Sequence, residues 1–198
     1  GSERYAAVDT GVFGPDTIRV GLLYDRTTVS PTGSFATLTS AVDPRFDDTR
    51  NRPALAQTFT EIASGATFTA VVNHLKSKGG SGLEAPTSVC NDADPANDIA
   101  DCDIGDGQGF WNASRTNAAR ALVDWLRADP TASADADAVI LGDLNAYAKE
   151  DPVEVLRAAG YVDVVEREGG YSFAFDGQWG SLDHALTSPS LRVQVTGA

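Results

Sequence analysis

Short apolar and β-branched runs, separated by stretches rich in Gly, Pro, Asp and Ser, divide the chain into strand-like and loop-like segments. Residues 17–24 (T-I-R-V-G-L-L-Y), bounded by Gly14-Pro15 and Asp25, read as a strand. Residues 30–53 show no sustained periodicity and read as a connecting loop. Residues 54–62 and 67–73 then form two strand-like runs around Ser64-Gly65, spaced as a hairpin. The stretch from 76 to 109 carries a Gly-rich start and six Asp and two Asn between Asn91 and Asp106, which predicts a long loop.

A helix is predicted over 112–126, where Ala118, Leu122 and Trp125 recur at helical spacing before Asp129-Pro130. Residues 138–141 read as a short buried strand leading into Gly142-Asp143-Leu144-Asn145. Asp151 as N-cap, Pro152 at the first helical position, Glu154 three residues after the cap and Gly160 beyond the end predict a second helix. Segments 161–165, 171–175, 181–187 and 191–195 read as strands. Strands and helices mix without strict alternation and without an internal repeat, which predicts a layered α/β sandwich with mixed sheets. A chain of 198 residues holds one domain.

Charge narrows the function. A formal net charge of −13 and a pI near 4.4 oppose a broad, sequence-independent grip on polyanions. Phosphate chemistry then needs a local basic patch or a bridging divalent cation. Lys76, Lys78, Arg50 and Arg52 are the candidates for that patch, a solvated loop being the alternative reading. No apolar run reaches the roughly 18 residues of a membrane span, so no membrane insertion is expected. Cys90 and Cys102 flank the Asp-rich loop and form either a disulfide or two unpaired thiols. The acidic loop over 91–106 either holds a structural Ca²⁺ or is simply solvated.

The chain has two histidines, His74 and His184, both beside polar residues at strand ends. His74 reads either as a phosphate contact or as a structural histidine. In extended chain, Asp143 and Asn145 point to one side and can address one centre, with the carboxylate orienting water and the amide donating to a phosphoryl oxygen. The competing reading is an Asx turn closing the strand. Asp183 is either a surface carboxylate or a group that orients an imidazole. Asn73, Lys76 and His184 stand beside these residues as substrate-side candidates.

The series I-R-V-G-L-L-Y, N-R-P-A-L-A-Q-T-F, V-V-N-H-L-K-S-K, G-D-G-Q-G, G-D-L-N-A-Y and S-L-D-H-A-L, in this order, resembles the endonuclease/exonuclease/phosphatase superfamily. Within it, the series is most similar to the secreted or surface-attached endonucleases of bacteria. The resemblance implies a partial four-layer sandwich with two mixed β-sheets flanked by helices, truncated at both ends. The family's principal metal-binding Glu and its last strands have no counterpart within residues 1–198, so these residues are expected to be an incomplete domain. It further implies that His74 contacts the scissile phosphate, that Asp143 and Asn145 orient the attacking water and stabilise the transition state, that Asp183 belongs to the same site, and that Arg52 is a phosphate-side contact. Mg²⁺ or Mn²⁺ is the implied cofactor, with Asp143 and Asn145 as the ligands present in this chain.

The expected activity is metal-assisted hydrolysis of DNA or RNA, weak or lost in these residues alone, in an extracellular or cell-surface bacterial protein. A phosphomonoesterase or lipid phosphodiesterase of the same superfamily is the alternative, as is a non-catalytic binding module. An exposed apolar hairpin would favour a lipid; none is found, and G-D-G-Q-G and L-D-H-A-L favour nucleic acid. Unpaired sheet edges provide a route to dimerisation.

Overall fold

The computed structural model describes residues 3–80, 90, 101–167, 169, 171–175 and 177–197. In chain order, β1 (Tyr5–Ala7) pairs antiparallel with β2 (Leu23–Asp25). The strands β3 (Val29–Leu38), β4 (Arg52–Glu61) and β5 (Thr67–His74) follow as an antiparallel meander. Helix α1 (Asn112–Arg127) leads to β6 (Ala138–Asp143), which runs parallel to β5. Then come α2 (Asp151–Ala158), β7 (Val162–Asp163), α3 (Val164–Arg167), the ribbon of β8 (Phe173–Phe175) and β9 (Gln178–Gly180), β10 (Asp183–Thr187) and α4 (Pro189–Arg192). One six-stranded mixed sheet results, in the order β3-β4-β5-β6-β10-β7.

Alternation along the central strands sorts side chains to two faces. Ala54, Ala56, Val71, Ile140 and Leu186 join Ala118, Ala119, Ala121 and Leu122 of α1 and Val153 and Leu156 of α2 in the main core. Ala118, Ala119 and Ala121 are the small side chains that α1 buries in this core. The opposite face presents Leu55, Phe59 and Ala70, covered by Leu22 with Val8, Phe13, Val20 and Tyr24 packed against them. β4 is buried from Pro53 to Phe59 because both of its faces are covered.

The architecture is therefore a mixed α/β layer built on one six-stranded sheet. The two-sheet, four-layer sandwich implied by the resemblance is not present among the described residues, where the remaining strands form two-stranded ribbons. Residues 17–22 are not a strand. Asp16 accepts the Ile18 amide at 3.2 Å, and Val20 and Leu22 spend their apolar surface on the sheet face rather than on strand pairing. Residues 29–38 are a strand and not a loop. Most of β3 is exposed and polar, so it joins the sheet through backbone pairing with β4 and leaves no hydrophobic period to read.

Helix α2 starts one residue earlier than expected, with Glu150 at the N-cap. β7 ends after two residues because Asp163 Oδ1 accepts the amides of Val165 (3.0 Å) and Glu166 (3.3 Å) and starts α3. Residues 191–195, expected as a strand, fall at the end of α4 and just beyond it. Pro189 begins that helix, and Ser188 Oγ accepts the Leu191 amide. Cys90 and Cys102 are disulfide-bonded, with their Cα atoms 5.5 Å apart.

Candidate active site

Four strand ends bring the candidate side chains into one row. Arg52 at the start of β4 is in register with His74 at the end of β5; His74 is in register with Asp143 at the end of β6, and Asp143 with Asp183 at the start of β10. Residues directly paired across strands project to the same face. The row therefore stands on the face away from α1 and α2, in line with Val72 and Val139. His74 Nε2 lies 3.8 Å from Asp143 Oδ2, and Arg52 Nε lies 3.2 Å from Asp16 Oδ2.

Electrostatics follow from that crowding. Burial, seconded by the Arg52 charge, holds the His74 pKa below the ordinary histidine value against the pull of Asp143, Asp16 and Asp183. The imidazole is then neutral at neutral pH and has one N–H to donate. Burial, together with the like charge of Asp183, pushes the Asp143 carboxyl up, opposed by the Asn145 amide and by His74 and His184.

The turn after β6 departs from the extended geometry expected for Asp143 and Asn145. Asn145 has φ 47°, a left-handed conformation that Asn tolerates, and its amide donates to Asp143 Oδ1 at 2.8 Å. This is the Asx turn, so the i, i+2 argument for a shared direction does not apply. Tertiary bonds set the position of Asn145 instead. Its Nδ2 donates to Leu75 O at 2.9 Å, the Leu144 amide donates to Leu182 O at 2.8 Å, and the Leu75 amide donates to Asp143 O at 2.9 Å. Gly142 has φ 117°, and a Cβ there would fall 2.1 Å from Asn73 O. The glycine before Asp143 is thus required by the close approach of β5.

The other predicted contacts separate from the row. Asn73 and His184 are in register with Gly142 and occupy the helix-facing side of the sheet, 1% and 3% exposed. The sheet therefore lies between these two side chains and the row. His184 Nδ1 bonds Asp163 Oδ2, and its Nε2 donates to Ala146 O at 2.8 Å. The Lys76 ammonium lies 5.3 Å from the Trp111 ring, which the Arg50 guanidinium also approaches at 4.5 Å, so Lys76 is turned toward Trp111.

Arg115 has no place in the motif reading, yet it organises this region. It is fully buried and donates to the carbonyls of Lys76 (3.2 Å), Phe110 (2.8 Å) and Gln108 (3.0 Å). Burial lowers its pKa to about 10, which leaves it charged at neutral pH. Its sequence signal was available: it falls three residues before Ala118 on the buried stripe of α1. Lys78 pairs with Glu150 and lies 4.9 Å from the Tyr147 ring. Lys78, Gly79, Asn145, Tyr147, Phe173 and Leu182 line a cleft of about 380 Å³. Beyond it, the β8–β9 ribbon presents Tyr171 and Trp179 with ring centroids 5.2 Å apart, Trp179 being 74% exposed. The expectation that no exposed apolar hairpin exists is therefore corrected, since these aromatic rings stand exposed at the ribbon.

The donors available to a divalent cation are the carboxylates of Asp143 and Asp183 and the amide of Asn145. No group of three or more His, Cys, Asp or Glu side chains suited to a metal occurs among the described residues. One or two carboxylates completed by water and phosphate oxygens is how Mg²⁺ is ordinarily held, and a cation would favour the charged form of Asp143 against the burial and the Asp183 charge that raise its pKa. These residues fit as part of such a site. For Ca²⁺, residues 91–100 lie outside the described residues. Of the rest of that loop, Asp101 caps α1 through the Ser114 amide at 2.8 Å, while Asp103 and Asp106 close local turns.

Known structures share the fold. The catalytic domain of human nocturnin with bound sulfate aligns over 94% of this chain and 61% of its own, with TM-score 0.57 and 17% identity. A mannosyl-6-phosphatase of Bacteroides thetaiotaomicron aligns over 94% and 64%, with TM-score 0.58 and 14% identity. D. rerio TDP2 complexed with a single-stranded DNA product aligns over 86% and 58%, with TM-score 0.52 and 16% identity. The chain spans about 60% of the length of these structures. No curated protein matches it in sequence. The sequence profile of the Endonuclease/Exonuclease/phosphatase family matches residues 10–198, and the chain belongs to that family.

Proposed function

We propose that this chain carries the phosphate- and water-positioning part of a divalent-metal-dependent phosphodiesterase that acts on nucleic acid. The observation that supports the reading is the row Arg52-His74-Asp143-Asp183 on one face of four adjacent strands. A cation, when bound, neutralises phosphoryl oxygen charge and helps the leaving oxygen depart. Asp143 orients the attacking water and takes up its proton, while the neutral His74 donates to a phosphoryl oxygen. Arg52, beside Asp16, supplies local positive charge at the end of the row. Asp183 and Asn145 complete the polar surface around the water. We place the protein outside the cytosol, a reading supported by the Cys90–Cys102 disulfide.

The test is hydrolysis of DNA, RNA, a phosphomonoester and sphingomyelin vesicles by the chain and by Asp143→Ala, each with Mg²⁺ or Mn²⁺ and with EDTA. The expected result is metal-dependent cleavage of DNA or RNA, weak in these residues alone, that falls further by at least roughly 100-fold in Asp143→Ala. Equal activity of the two proteins would sink the proposal. Cleavage of vesicles in preference to nucleic acid would support the second reading, a lipid phosphodiesterase, which the exposed Tyr171 and Trp179 favour.

A further inference from the structure

His184 is a buried, doubly hydrogen-bonded side chain for which the proposed chemistry has no use. Its side chain is fully buried and lies on the face of the sheet away from the catalytic row. Ala146 O can only accept, so Nε2 carries a proton and points at the turn that follows β6, one residue beyond Asn145. On the other side, Asp163 Oδ2 fixes Nδ1, and Asp163 Oδ1 is itself held by the amides of Val165 and Glu166. A continuous path therefore runs from the start of α3 through Asp163 and His184 to the carbonyl of Ala146. That carbonyl directly follows Asn145, whose backbone sits in the left-handed region at φ 47°.

We propose that His184, oriented by Asp163, is a positioning residue that holds the Asp143–Ala146 turn and so aims Asp143 and Asn145 without touching substrate. This rests on the functional reading above for its kinetic consequence, although the claim about the turn stands apart from it.

Two substitutions separate this role from ordinary stabilisation. His184→Gln places an amide nitrogen near the position of Nε2 and keeps the bond to Ala146 while losing Asp163. His184→Asn does the reverse, keeping Asp163 and losing Ala146. The proposal predicts opposite orders. His184→Asn melts higher than His184→Gln, since Asp163 keeps a partner, yet its kcat falls by roughly 100-fold with little change in KM, the size expected for a displacement of about 1 Å in a reacting group. His184→Gln stays within several-fold of the parent. Amide exchange at Leu144 and Asn145, followed by NMR on the substrate-free chain, speeds up in His184→Asn and not in His184→Gln. If activity and exchange protection instead follow stability, with His184→Asn the better protein in both, the pair is merely structural and the proposal fails. If the parent shows no phosphodiesterase activity, the functional reading falls, and the exchange measurement alone decides the role of His184.

Discussion

At the scale of single residues, the site depends on a few positions whose neighbours leave no choice. Gly142 is the clearest. It sits between Asn73 and His184 in the register of three strands, and the backbone of β5 occupies the space a side chain would need. Gly142→Ala is expected to destabilise the fold by about 2 kcal/mol or more, combining positive-φ strain with displacement of β5, as urea unfolding would report. His74 and Asp143 illustrate a second lesson. Their identities as candidates are legible from N-H-L-K-S-K and G-D-L-N, whereas the depressed pKa of one and the raised pKa of the other come from burial and from Arg52 and Asp183, which are distant in sequence.

Among the elements, the strands with an apolar period and the two long helices are those the sequence specifies best. β4, β5, β6, α1 and α2 carry their own patterns, and pairing them needs only that apolar faces meet. The elements that escaped prediction are held by polar or backbone bonds. β3 is an edge strand with a polar exterior, while α3 and α4 are started by Asp163 and Ser188. The β1–β2 ribbon is another case, closed by Asp25, which accepts from Arg4 Nε at 2.7 Å and from the Thr27 amide at 2.8 Å. The bonds from Thr27, then that from Arg4, lower the Asp25 pKa from 3.8 to about 2. A carboxyl with a depressed folded pKa stabilises structure above its unfolded value and loses that contribution as pH falls through the folded one. The ribbon should therefore be intact above pH 3.8 and loosen as pH drops toward about 2. NMR titration of the Asp25 carboxyl with Thr27 amide exchange would show it, and a midpoint near 3.8 would contradict it.

For the whole molecule, the exposed edges of the six-stranded sheet decide association. At one edge, β3 contains Pro31 and a register shift between Thr32 and Ala36; at the other, β7 is two residues long. Proline, a bulge and a short edge strand are the devices that discourage strand addition between chains. The protein is accordingly expected to be monomeric in light scattering at micromolar concentration, in place of the edge-paired dimer that the sequence suggested. A dimer that persists on dilution would show that an edge, or the exposed aromatic ribbon, is an interface.

The sequence by itself determined the hydrophobic periods of the central strands and helices, the family, and the chemical types at the site, because each is written in local order. What only the tertiary structure decided is which of those residues share a face. Strand register places Arg52, His74, Asp143 and Asp183 together and turns Asn73 and His184 to the other side, since one step along a strand reverses a side chain. Local pattern offered the Asx turn at Asn145 only as one of two readings, and it could not show that Arg115 gathers three carbonyls of the connection between β5 and α1. Those positions are fixed by hydrogen bonds between segments far apart in the chain, and such bonds leave no period for a sequence to display.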